Sequence, residues 1–167
     1  MDLAIVEGLE YLERNPNNNQ VFELLLNILH DYKHQEALDS LKNSIIYKME
    51  QKRYENLLTN IQDVYNFIDK ISLKTELYNI IVGNLNIELH KLFINIDIRS
   101  EYSFNKDYIR LKLINLPDYD DISLLNRNFD KAIQREIEKG NLDFDDYLDS
   151  LDKLVVGFRA NPDAKVA

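Results

Sequence analysis

Two stretches of this sequence hold residue types whose spacing could do chemistry. His30 and His34 stand four apart, which would place two imidazoles on one face of an unbroken helix. With a third donor such as Glu36 or His90 they could hold a metal ion. No H-E-x-x-H pattern accompanies them, and the helix is expected to break between them, so they read as two surface histidines at a turn. The second stretch is DFDDYLDSLD, which sets Asp143, Asp145, Asp146, Asp149 and Asp152 close together. A calcium loop starting at Asp143 needs Gly at its sixth position and Glu at its twelfth, and Leu148 and Leu154 stand there instead. Asp143, Asp145 and Asp146 suit the positive end of a helix dipole, and Asp149 and Asp152 continue one solvated face. The chemistry this cluster supports is docking of a basic protein surface.

Little else in the chain resembles catalytic equipment. It has no cysteine, which removes a thiol nucleophile, a zinc–thiolate centre and a disulfide framework. There is no G-x-S-x-G turn, and four glycines do not supply a phosphate-cradling loop or a dinucleotide fingerprint. Ten tyrosines and no tryptophan suit half-buried helix contacts and interface anchors. Tyr78, Tyr102 and Tyr119 are the three that no apolar stripe accounts for. The expectation is a chain that is not an enzyme and uses neither cofactor nor metal.

The elements that must position these residues are helical. With 4 Gly and 3 Pro in 167 residues, the chain is too poor in turn residues for an all-β sandwich. Its 45% hydrophobic content supplies a core that disordered chains lack. Apolar residues recur at three- and four-residue spacing. The first helix spans about 3–14, with Leu3, Val6, Leu9 or Glu10, and Leu12 on its buried side, and Asn15-Pro16 ends it. Asn18 or Asn19 caps a second helix through Phe22 and Leu29, and a third carries Ala37, Leu41, Ile45 and Met49. A fourth helix buries Tyr54, Ile61 and Ile68, and a fifth continues from Leu73 to Leu92. Ile94, Ile96 and Ile98, then Ile109, Leu111 and Leu113, alternate with polar residues across a SEYSFNK connection, which admits a small β-hairpin near 92–114. After the Leu116-Pro117-Asp118 turn, a helix runs to Gly140, and a last one from Asp143 carries Phe144, Tyr147, Leu148, Leu151, Val155 and Phe158. The expected fold is all-α, with about seven helices packed as successive antiparallel hairpins. It forms one domain over 1–158, with hairpins at 1–98, an acidic helical hairpin at 116–158, and a tail or linker at 159–167.

Charge narrows the partners. The net charge is −9, and residues 115–167 hold 12 acids against 7 bases. Phosphate backbones are bound by Lys and Arg that displace counterions, so direct nucleic-acid binding is not expected. No stretch has the length and apolarity of a membrane span, so membrane insertion is not expected either. The start MDLAIVEGLEYLE puts acids at 2, 7 and 10, unlike a secretory leader, and a cytoplasmic or nuclear address is expected.

Within residues 8–46, Phe22, Leu25 and Leu29 on one helix face Ala37, Leu41 and Ser44 on the next, with Pro16 closing the segment before them. This pattern resembles a tetratricopeptide-type helical repeat, in which a small side chain lets two antiparallel helices approach closely. Leu26 stands where the family keeps a small residue, and Met49 where it has a closing proline. The resemblance implies a scaffold that binds proteins. Residues 49–93 are also similar to helical-rod subunits of vesicle-tethering complexes. The leading expectation is a non-catalytic protein-interaction module within a larger intracellular complex. Its docking residues would be Asp143, Asp145, Asp146, Asp149, Asp152 and Tyr119, and its partner would carry a basic surface. A second possibility is an acidic decoy that imitates phosphate charge on a nucleic-acid-handling protein.

Overall fold

Helix is the dominant state of the chain, and capping side chains mark where four of the helices start. The computed structural model describes residues 2–93, 98–116 and 119–160. In chain order the elements are α1 (Asp2–Arg14), α2 (Asn19–Asp31), α3 (Gln35–Asn43), α4 (Ile45–Met49), α5 (Gln51–Lys70), α6 (Thr75–Leu92), β1 (Arg99–Phe104), β2 (Ile109–Leu116), α7 (Tyr119–Glu138), α8 (Phe144–Leu151) and β3 (Leu154–Ala160). The fold is therefore mostly helical, but it is not the all-α fold expected from the sequence. Among the described residues, eight helices accompany a three-stranded mixed sheet. By contact density the chain separates into two units, Met1–Asn66 and Phe67–Ala167, with the division inside α5.

In the first unit, Asn18 caps α2 by accepting from the Val21 N–H at 3.1 Å, as its side-chain oxygen is suited to do. His34 caps α3 in the same way, its Nδ1 accepting from the Ala37 N–H at 3.3 Å. The third helix does not run unbroken to Met49 as expected. Ser44 leaves the helical region, and its hydroxyl accepts from the Tyr47 N–H at 3.2 Å, so the competing side-chain bond starts α4. The core gathers Ile5, Phe22, Leu25, Leu29, Ala37 and Leu38, all buried. Tyr65 on α5 is also buried, and its hydroxyl lies 2.8 Å from the carbonyls of Leu29 and Tyr32 while accepting from the His34 N–H at 3.2 Å. One phenol thus ties the end of α2 to the start of α3. Arg53 bridges Glu23 at 2.6 Å and Glu50 at 3.0 Å, and Asn19 donates to Glu50 at 2.8 Å. Asn19 and then Arg53 hold the Glu50 carboxyl below the usual carboxylate range.

The second unit is built on the sheet, in the order β1-β2-β3. β1 and β2 form an antiparallel hairpin with Phe104 opposite Ile109. Its first strand comes from SEYSF, the segment expected as the connection, and residues 94–97 lie outside the described residues. The register is set by a tight turn in which the Asn105 N–H donates to the Tyr108 carbonyl at 2.9 Å and the Lys106 N–H to Asn105 Oδ1 at 2.7 Å. β3 pairs parallel to β2, so α7 and α8 together form the crossover that parallel strands require. The last helix was expected to reach Phe158. It stops at Leu151 because the following LVVGF is rich in β-branched and aromatic residues and finds a partner in β2. The expected tail begins inside β3, and residues 161–167 lie outside the described residues.

Two turns end helices by the same device. At Gly140, with φ 73°, the Gly140 N–H donates to Ile137 and the Asn141 N–H to Glu136, as expected of a glycine beyond a helix end. Ser72 takes that role after α5 with φ 52°, an uncommon place for a residue with a side chain. Among the described residues no helix is long and apolar enough to cross a membrane.

Candidate docking surface on α8

The short helix α8 carries the acids that the sequence marks out, and the structure separates their roles. Asp143 is its N-cap, with Oδ1 accepting from the Asp145 N–H at 2.9 Å and the Asp146 N–H at 3.1 Å. Asp146 is paired with Lys74, whose Nζ lies 2.5 Å from Oδ2. Asp145, Asp149 and Asp152 follow one another at spacings of four and three, so they share one face, and all are exposed. Tyr119 opens α7, and its side chain lies outside the described residues.

Beside this acidic row runs an apolar one that was expected in the core. Phe144, Leu148 and Leu151 repeat at the same four-and-three spacing, and they are 54%, 46% and 49% exposed. Each is one residue ahead of an acid, so the two rows lie side by side along the helix. The residue that α8 buries is Ser150, whose hydroxyl donates to the Tyr147 carbonyl at 2.7 Å. Phe144 and Leu148 lie on the flank away from Ser150, Leu151 stands at the edge between the two flanks, and a helix of eight residues packed on one flank cannot bury both.

Leu151 also lines a cleft of about 260 Å³ whose walls include Ile81, Phe129, Tyr147, Leu154 and Phe158. The apolar row therefore leads into a concave apolar site with Asp130 and Asn126 at its margin. Burial, with Asp130 adding to it, raises the Tyr147 phenol above the ordinary tyrosine value. The combination of an apolar anchor site and an acidic margin suits binding of a partner surface.

In the first unit lies a second groove of about 510 Å³. Its walls are Leu9, Leu12 and Glu13 of α1, Leu41 of α3, and Ile45 and Ile46 of α4. The expected buried side of α1 is corrected here: Ile5 and Leu12 are buried, while Leu3 and Val6 are exposed. The reason is the close approach of Gly8 to Leu25, which turns the Ile5–Leu12 side of α1 toward α2.

The two histidines do not converge. His30 lies 2.8 Å from Asp31, and His34 spends its ring nitrogen on the α3 cap. Among the described residues no group of three or more His, Asp or Glu side chains is placed to hold a metal ion.

Set against protein-family models, curated proteins and solved structures, the chain matches none.

Proposed function

We propose that this chain is a non-catalytic protein-interaction module, a subunit or domain of a larger intracellular assembly, that docks a basic partner surface on α8. The observation carrying this reading is the pair of parallel exposed rows, Phe144-Leu148-Leu151 and Asp145-Asp149-Asp152. Soluble domains seldom leave three large apolar side chains in line on one helix without a partner to cover them. Apolar area supplies the affinity of such a contact, while the carboxylates favour Lys- and Arg-bearing partners and speed encounter. The packing of α1, α2 and α3, with Phe22, Leu25, Leu29 and Ala37 all buried, supports a degenerate tetratricopeptide-like hairpin as the frame of the first unit.

Affinity purification with the intact chain tests this reading. Partners captured by the wild type should be lost with Leu148→Asp and weakened with an Asp145→Asn/Asp149→Asn/Asp152→Asn chain, with the difference from wild type shrinking as salt rises. Capture that is indifferent to all of these changes would overturn docking on α8. Both sets of substitutions lie at exposed positions, so circular dichroism melting should confirm that the fold is retained.

A further inference from the structure

The groove in the first unit has a chemistry of its own, and nothing in the α8 reading depends on it. Its floor is aliphatic, formed by Leu9, Leu12, Leu41 and Ile46. Exposed apolar residues continue it at both ends. Val6, 46% exposed, lies one turn before Leu9 on α1, and Ile45 and Met49, 49% and 75% exposed, stand one turn apart on α4. A methionine in such a place can adapt to differently shaped aliphatic partners.

Charge decides what this floor would accept. Glu13 is the one charged residue lining the groove, and it falls on the same side of α1 as Val6 and Leu9, at helical spacings of seven and four. Two cations next to lining residues in sequence are engaged elsewhere: Arg14 faces Glu10 at 3.7 Å, and Lys42 donates to Gln62 at 2.5 Å. The last turns of α1 and α3 line the groove, as does the first turn of the short α4, so helix ends of both signs meet there and the Glu13 carboxylate sets its charge. An aliphatic trough with a negative end complements a helix that has a leucine-type stripe and one flanking cation.

We infer that this groove docks an amphipathic helix of a partner protein, which lays aliphatic side chains on Leu9, Leu41 and Ile45 and sets a Lys or Arg against Glu13. The chain would then hold two partners, one on each unit, and act as an adaptor.

A display library of amphipathic helical peptides selected on the intact chain tests the inference directly. Enriched peptides should share aliphatic residues at i, i+3 or i+4, and i+7, with a Lys or Arg at one fixed offset. Fluorescence anisotropy of an enriched peptide should show binding weakened about tenfold or more by Val6→Asp or Ile45→Asp. Glu13→Lys should weaken it by about tenfold, and exchange of the peptide's cation for Glu should restore it. Leu148→Asp should leave this affinity unchanged, so failure here and failure of the α8 reading are told apart. Lack of enrichment would overturn the inference, as would binders that tolerate the groove variants or a charge reversal without effect. Sedimentation of the wild type as a dimer, converted to monomer by Ile45→Asp, would identify a second copy as the occupant and equally overturn it.

Discussion

Lys74 and Asp146 meet at 2.5 Å, joining the residue before α6 to the first turn of α8. The neighbouring carboxylate raises the Lys74 ammonium above the ordinary lysine value. Asp146 is thereby answered within the chain, whereas Asp145, Asp149 and Asp152 face outward beside the apolar row. The prediction is a difference between acids that look alike in sequence. Asp146→Asn should change affinity for the α8 partner by less than about twofold, while Asp145→Asn and Asp149→Asn should each weaken it and flatten its salt dependence. Isothermal titration at two ionic strengths against the recovered partner provides the comparison, and equal effects at all three positions would refute the assignment.

Asp143 has a different task again. Its carboxylate accepts two backbone N–H groups that α8 would otherwise leave unsatisfied. Asp143→Ala should therefore lower stability by about 1 kcal/mol, and Asp143→Ser should recover most of the loss, because a hydroxyl also caps. Urea unfolding monitored by circular dichroism measures both. If the alanine variant is as stable as the wild type, the cap contributes nothing.

The sequence announced most helices because their signals are local. Asn18, Asn15-Pro16, Gly140 and Asp143 act on their own neighbours, and each stands at the end of a helix in the fold. What stayed hidden depends on distant partners. LVVGF at 154–158 extends an apolar spacing that also suits a helix, and it becomes a strand because β2, about forty residues earlier, offers an edge. The hairpin alternation was visible, but its first strand moved onto SEYSF, since the turn at 105–108 decides the register. The acidic row of α8 could be read from spacing alone. Its apolar companion could not, because exposure is a property of packing, and Phe144, Leu148 and Leu151 looked like core.

Alkaline pH provides a probe of the first unit. Tyr54 packs its ring against Phe22 with centroids 4.8 Å apart and donates its hydroxyl to Glu23 at 2.9 Å. Burial, reinforced by the Glu23 carboxylate, pushes its phenol up to about 12 from 10.0. The sign follows from proton linkage. Below pH 10 both states keep the proton and the stabilisation is fully present; between 10 and 12 the unfolded chain releases it first, so stability falls. The wild type should lose more stability between pH 9 and pH 11 than Tyr54→Phe does, measured as the shift in urea midpoint. Tyr65, raised in the same direction by burial, keeps some slope in the variant. Identical losses in the two proteins would rule out Tyr54 as a source.

Gly8 fixes how α1 lies on α2. A Cβ placed on it would stand 2.8 Å from Leu25 Cδ2 and 3.2 Å from Cγ, and Leu25 is buried. Two effects of Gly8→Ala then oppose each other. Helix propensity favours alanine by about 1 kcal/mol, and overpacking against a fixed core side chain costs about 1–3 kcal/mol. The steric cost should win, leaving the variant about 1 kcal/mol less stable. A double-mutant cycle with Leu25→Ala separates the two terms. Removing the leucine lowers stability by itself, yet in that background Gly8→Ala should become neutral or stabilising, because only propensity remains. The same helix carries Leu9, Leu12 and Glu13 along the groove, so a forced shift of α1 should weaken a groove-bound peptide as well. A Gly8→Ala chain that is more stable than the wild type, with unchanged peptide affinity, would show that α1 has room to spare and that the close approach at Gly8 does not set the groove.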